Sequence, residues 1–482
     1  MSVQTETAPP TAPPRVREID DLPRPRGWPL VGNALQFERA RMHQQVERWA
    51  RELGPFFTFR IGTRQLLVIA DHAAMGALLR DRPDGFRRTK RLAEVTAEIS
   101  SAAVGVFGAE GDVWRRQRKM VMAGFDPRHL RAYFPSLVKV SERLAERWGR
   151  AADSGASIDL QGDLMRYTVD TVSGLAFGAD VNTLASDDDV IQRHLDKIFP
   201  AIFRRIMSPL PTWRWWRSAA DRELDQSIAA IGDAIQGFVA AARERLQDPR
   251  RRAAPENLLE AMIVAADDPQ SGITANEIRG NVLTMLLAGE DTTANTLAWA
   301  IWLLYRHPAC FARARAEVDA QAGDPAAWTI ERFAALDYVE ACANETLRLR
   351  PVVPFIMLQA LRETSVAGIR IPADTIVWGA LRVDTLSEQH FVDASAFKPE
   401  RWLADAAAPR ASSASRVAMP FGAGPRVCPG RHLAMLEIKM ALAVLLGRFE
   451  IESVAPLRGE EPGEELAFTM SPEPLALRLR RR

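Results

Sequence analysis

The stretch Phe421-Gly-Ala-Gly-Pro-Arg426-Val-Cys428-Pro-Gly430 decides how this chain is read. It sets a cysteine in a glycine-rich turn, two residues after an arginine. A helical pattern follows at once, Arg431-His-Leu-Ala-Met-Leu-Glu-Ile-Lys-Met-Ala-Leu. Pro429 suits the first position of that helix, where a missing N–H costs nothing. The positive end of the helix then faces the sulfur and favours thiolate over thiol. Gly424 and Gly430 let the backbone approach a flat group and place N–H groups near the sulfur. A thiolate held this way can ligate iron, haem iron first of all. A lone cysteine in a turn is by default packing. Here Phe421, Gly424, Arg426, Cys428 and Gly430 coincide, a chance on the order of 10⁻⁷ per starting point at average composition.

A second segment, Ala288-Gly-Glu-Asp-Thr-Thr293, falls inside a helical pattern over residues 276–305. Glycine in mid-helix costs about 1 kcal/mol, so the segment is a poor local choice for helix stability. A threonine hydroxyl there can bond back one turn and bend the helix, opening a groove. Alone, it reads as a kink. Glu345-Thr-Leu-Arg348 places an acid and a base three residues apart on one helix face. Glu38-Arg-Ala-Arg41 has the same pattern and reads as a solvated face. What distinguishes the first is the proline break at Pro351 and Pro354, followed later by Lys398-Pro-Glu-Arg401-Trp402. In Trp114-Arg-Arg-Gln-Arg118, Trp114 and Arg118 lie one turn apart on one face.

Taken together, these segments resemble the cytochrome P-450 superfamily, soluble bacterial type, in the expected order from Gly27-Trp-Pro-Leu-Val-Gly32 to the C-terminus. The resemblance implies a mainly α fold with small β-sheets, one large domain enclosing haem b. It makes Cys428 the axial iron ligand, Phe421 a ring beside the thiolate, and Trp114, Arg118 and Arg426 partners of the haem propionates. Ala288 and Gly289 would leave room for dioxygen, with Asp291 and Thr292 relaying protons to it. Glu345, Arg348 and Arg401 would form a buried charged triad, structural in role. Val352, Phe355, Ile356 and Phe468 would line the substrate pocket. The implied reaction inserts one oxygen atom of O2 into an apolar substrate by hydroxylation or epoxidation. Electrons would come from NAD(P)H through a separate ferredoxin or flavodoxin and its reductase, because only about fifty residues follow the cysteine. Rival readings are a haem-thiolate peroxygenase or isomerase, which needs no acid–alcohol pair, and a haem sensor, which should carry a signalling module. Thr385-Leu386 departs from the family's frequent Arg-Asp pair and puts a structural contact there in doubt. Trp402 replaces a usual phenylalanine.

Composition sets the frame. Among 482 residues the formal net charge is +1, which gives no reason to expect nucleic acid or a membrane surface. No apolar run reaches 18 residues, so no membrane anchor is expected. Three cysteines without paired spacing argue against a disulfide framework and fit a cytoplasmic protein. Seven histidines show no metal-ligand spacing, and zinc is not expected. Residues 1–25 read as a flexible proline-rich arm, with the haem domain over 26–482. Alternation over Phe56–Ile61 and Gln65–Ala70 predicts a hairpin. Further extended patches are expected at 370–372 and 375–379, and helices at 134–150, 222–247, 276–305, 310–322 and 331–349.

Overall fold

The computed structural model describes residues 16–100, 104–125, 127–185, 190–208, 210–403 and 412–482. Helices dominate, and the long one at Ala275–Arg306 is the axis of the molecule. Its start is set by a reciprocal cap: the Thr274 hydroxyl accepts from the Glu277 N–H while the Glu277 carboxylate accepts from the Thr274 N–H. It stops at His307, directly before Pro308, which opens the next helix, Pro308–Ala322. The axial helix packs chiefly on Leu160–Phe177, and also on Asp337–Leu349 and Arg431–Arg448. Pro127–Ser154 covers the outer side of Leu160–Phe177 and Arg431–Arg448. Trp148, Tyr167, Phe177, Trp299 and Phe449 are fully buried in the shared core. Truncating one such ring, Trp299→Ala for instance, costs about 3–5 kcal/mol by lost transfer and cavity terms.

A five-stranded sheet stands to one side in the order Phe56–Ile61, Arg64–Ile69, Ile376–Ala380, Phe355–Ala360, Phe86–Arg88. The expected hairpin is its edge, with Gly62 at φ +59° in the turn. The extended patches near 370 and 376 are strands Ile369–Ile371 and Ile376–Ala380. Helices expected at 134–150, 222–247, 276–305 and 310–322 all form, with the first reaching from Pro127 to Ser154.

Two expectations need correction. The helix expected over 331–349 is two, Ile330–Ala334 and Asp337–Leu349. The Glu317 carboxylate, from the neighbouring helix, accepts from the N–H groups of Tyr338 and Val339 at 2.8 and 2.9 Å. It satisfies the donors of a new helix start, a cap invisible to local pattern. Of the flexible arm expected over 1–25, the described residues 16–25 are held in the fold. Residues 1–15 lie outside the described residues. Arg17–Glu18 pairs in parallel with Ile369 and Arg370, Leu22 is buried, and the Pro23 carbonyl accepts from Thr58 N–H at 3.0 Å. Strand pairing and one apolar anchor hold this segment despite its prolines.

Candidate active site

The cysteine loop is folded by its own backbone. Cys428 N–H donates to the Phe421 carbonyl at 3.0 Å, and Val427 N–H donates to the Gly424 carbonyl at 3.1 Å. Gly424 sits at φ +71°, and a Cβ there would stand 2.4 Å from the Leu79 carbonyl oxygen. Its bare backbone therefore lets the loop press against helix His72–Arg80. Gly430 has a negative φ and open room for a Cβ beside Phe125. Its use is its N–H, which reaches the Cys428 sulfur.

The helix after the loop begins at Arg431 with Gly430 as N-cap. Pro429 thus precedes the cap and does not occupy the first helical position. Burial pushes the Cys428 thiol up, against the Gly430 N–H and the Arg118 and Arg431 charges, which pull it down. A coordinating metal deprotonates such a thiol outright.

Three guanidinium groups, Arg82, Arg88 and Arg426, gather beside the loop around the Glu110 carboxylate, with Arg118 next to them at the cysteine. Arg426 lies over the Trp114 ring at 4.7 Å and donates to the Ala109 carbonyl at 2.6 Å and to Glu110. Arg118 donates to the Val427 carbonyl at 2.8 Å. Arg88 donates to the Phe107 carbonyl at 2.6 Å. Burial, then the Arg426 charge, lowers Arg82 to about 10. Burial together with Arg82 and Arg426 holds Arg88 well below the ordinary arginine range. Buried Arg82 Nε and Nη2 and Arg426 Nε have no hydrogen-bond partner. Arg82, Arg88 and Glu110 were not found from sequence. The Arg-rich run from Asp81 to Arg88 was the available signal, but nothing local distinguishes it from a solvated turn.

On the axial helix the acid and the alcohol part company. Thr292 Oγ1 donates to the Ala288 carbonyl at 2.7 Å, and Ala288 is the exposed position of that turn while Gly289, Asp291 and Thr292 are half-buried. Asp291 turns aside: Oδ1 accepts from Asn295 Nδ2 at 3.0 Å and Oδ2 from the Thr469 hydroxyl. Burial pushes the Asp291 carboxyl up, and these two bonds pull it partly back. Its flank opens on a cleft of about 530 Å³ lined by Gln161, Arg166, Glu290, Asn295 and Thr469. Gly289 does not face the open side. A Cβ there would stand 2.6 Å from Val172 Cγ2, so this glycine serves the packing of two helices.

Glu345 and Arg348 are fully buried and joined at 2.8 and 2.7 Å, and Arg401 Nε reaches the same carboxylate at 3.2 Å. Lys398 N–H and Trp402 Nε1–H add two more donors at 2.9 Å each, so the tryptophan supplies a hydrogen bond phenylalanine lacks. Thr385 is also an anchor. Its carbonyl accepts from Arg348 and its hydroxyl donates to the Arg348 carbonyl at 2.9 Å. The contact put in doubt by the departure at 385–386 is made by backbone and hydroxyl instead. As expected of a solvated face, Arg41 and Glu38 are exposed and 3.8 Å apart.

Among the expected pocket residues, Phe468 stacks on Phe199 at 4.9 Å and meets the Phe107 edge at 6.1 Å. Phe355 stacks on Trp378 at 5.3 Å, and Ile356 packs in the cluster around Met75. Val352 is buried, its carbonyl accepting from Met470 N–H at 2.8 Å. No helix among the described residues is long and apolar enough to cross a membrane.

Comparison with known proteins agrees with this geometry. The Cytochrome P450 family model matches residues 22–479, and the chain belongs to that family. It is an oxygen-incorporating oxidoreductase of the haem-thiolate type. Relatives include the chloroplastic protein LUTEIN DEFICIENT 5 of Arabidopsis thaliana, 27% identical over 84% of this chain and 68% of that one. Thromboxane-A synthase of Macaca fascicularis is 26% identical over 90% of this chain and 86% of its own length. The crystal structure of the cytochrome P450DA haem domain superposes with TM-score 0.82 at 23% identity, covering 97% of this chain and 98% of that one. That last likeness concerns the fold. The residues present fit haem: two propionate carboxylates would compensate a cluster in which Arg82, Arg88 and Arg426 face Glu110 and three buried nitrogens lack acceptors among the described residues.

Proposed function

We propose that this protein inserts one oxygen atom of dioxygen into a C–H or C=C bond of an apolar organic molecule. Electrons come from NAD(P)H by way of a separate ferredoxin or flavodoxin and its reductase. The observation that carries the reading is the Cys428 loop, whose sulfur meets the Gly430 N–H and the Arg118 and Arg431 charges beside an uncompensated guanidinium cluster. Haem held by Cys428 would supply the oxygen-activating chemistry, the thiolate making that iron electron-rich as is general for this family.

The chain's own groups do the rest. Arg118 and Arg426, joined by Arg82 and Arg88, take up the propionates, and Trp114 supports Arg426. Phe421 holds the cysteine N–H through its carbonyl. Ala288 leaves the open side of the axial helix unblocked, and the Thr292 hydroxyl, whose hydrogen is donated to the Ala288 carbonyl, presents its oxygen there as an acceptor for a water or a protonated oxygen species. Asp291 receives protons from the polar cleft beside Thr469 and passes them along the helix groove. The Phe107, Phe199 and Phe468 rings make an apolar wall, which suits an apolar substrate. Exposed Lys119 and Arg431, on the cysteine side, suit an acidic electron donor.

The test is the absorption spectrum of dithionite-reduced protein under carbon monoxide, for wild type and Cys428→Ser. The strongly red-shifted Soret band of thiolate-ligated iron, lost in the variant, is expected. A band at the histidine-ligated position in wild type overturns the reading. Turnover should require the electron-donor pair and be poor with peroxide. Efficient peroxide-driven turnover, or rearrangement of a substrate without reductant, would favour the peroxygenase or isomerase alternative.

A further inference from the structure

Three donor groups meet well away from the cysteine loop, where helix His72–Arg80 abuts the short helix Arg382–Thr385. His72 Nδ1 lies 2.7 Å from Asp384 Oδ2, and His390 Nε2 lies 3.6 Å from the same oxygen. The two imidazoles stand edge to face, centroids 4.7 Å apart and planes at 82°. All three donor atoms fall within 4.8 Å of one another. We propose that His72, Asp384 and His390 bind a divalent first-row transition ion of the zinc type.

Two imidazole nitrogens and a carboxylate oxygen are a donor set that zinc prefers, with water completing a tetrahedron. Bonds of ~2.0–2.1 Å at tetrahedral angles set donors ~3.3 Å apart. The 2.7 Å pair must open by about 0.6 Å and the 3.6 Å pair close by about 0.3 Å, and the two imidazole nitrogens, within 4.8 Å of each other, must come to the same separation by rotation of the side chains. The His72–Asp384 contact alone has a simpler use, since Asp384 Oδ2 also accepts the His72 backbone N–H at 2.8 Å and so ties down the helix start. That use leaves His390 unexplained. At 3.6 Å its Nε2 is too far for a hydrogen bond, yet it is turned toward the shared oxygen. The side chains of His72, Asp384 and His390 are 18, 15 and 26% exposed, which admits an ion from solvent. A bound ion would brace helix His72–Arg80, whose far end presses its Leu79 carbonyl against Gly424 of the cysteine loop.

The experiment is equilibrium dialysis of the haem-loaded full chain against micromolar Zn²⁺, with bound metal counted by mass spectrometry. Haem occupies Cys428 in this form, and repeating the assay on Cys428→Ser shows that the sulfur is not the ligand. One equivalent is expected in both, weakened at least about ten-fold in His390→Gln and unchanged in His129→Gln. His390 is exposed, so its replacement leaves the fold intact, which the haem spectrum checks. Wild type without bound zinc, or His390→Gln binding as wild type does, overturns the proposal.

Discussion

Asp291 and Thr292 are neighbours in sequence and do not touch through their side chains. Thr292 Oγ1 bonds back to the Ala288 carbonyl at 2.7 Å, while Asp291 is held by Asn295 and Thr469 on the cleft side. Successive helical residues point about 100° apart, so the two side chains leave the helix in different directions, the alcohol over the Ala288 turn and the acid toward Asn295 and Thr469. The acid and the alcohol of the proposed relay are thereby separated in space, so protons would have to pass between them through intervening groups.

Different defects should follow from the two replacements. Thr292→Ala should keep electron consumption while diverting it to hydrogen peroxide, read as product formed per NAD(P)H consumed. Asp291→Asn should slow turnover about 10²-fold or more, the usual worth of a positioned proton donor, and raise the solvent deuterium isotope effect. Unchanged coupling in the first variant would remove Thr292 from the relay.

Gly289→Ala should loosen the axial helix. Its methyl would meet Val172 Cγ2 at 2.6 Å, and overpacking of this kind costs about 1–3 kcal/mol. Val172→Ala in the same chain should restore much of that loss, measured by urea denaturation of both variants. Additive losses would show that the two side chains do not share the space.

Glu345→Gln should be among the most damaging single changes. The fully buried carboxylate answers Arg348 and Arg401 and two further donors. Its neutralisation strands Arg348 at a cost of about 3–5 kcal/mol. Denaturant midpoints and haem retention on dilution report it.

Acid sensitivity should trace in part to Glu464. Burial works against its charge, but bonds from His43 and Arg382 and the charges of Arg382 and Arg350 hold its carboxyl far below the usual range. A carboxyl lowered in the folded state contributes stability that is fully present above its unfolded value, about 4.3. That contribution falls away as pH drops below it toward the folded value. Glu464→Gln should flatten thermal stability between roughly pH 5 and pH 3. It should also lower stability at neutral pH, because Arg382 and Glu47, joined at 2.8 Å, lose their third member.

Sequence alone determined the elements whose cause is local. The Cys428 loop is a compact string of special residues. The helix Ala275–Arg306 announces itself by periodicity over 276–305, and the hairpin at 56–69 by alternation. Glu345 with Arg348 is a one-turn pair, and its neighbourhood marked it out from Glu38 and Arg41. What remained hidden depends on atoms brought together from distant parts of the chain. Glu317 caps a helix that starts 20 residues later, and Gly289 is small because Val172 lies against it. Arg82 and Arg88 join Arg426 only when the sheet edge meets the cysteine loop. His72 and Asp384 stand 312 residues apart in sequence and 2.7 Å apart in the fold. Spacing rules read one helix or one turn at a time, whereas packing chooses partners by shape and charge across the whole core, and only the tertiary structure records that choice.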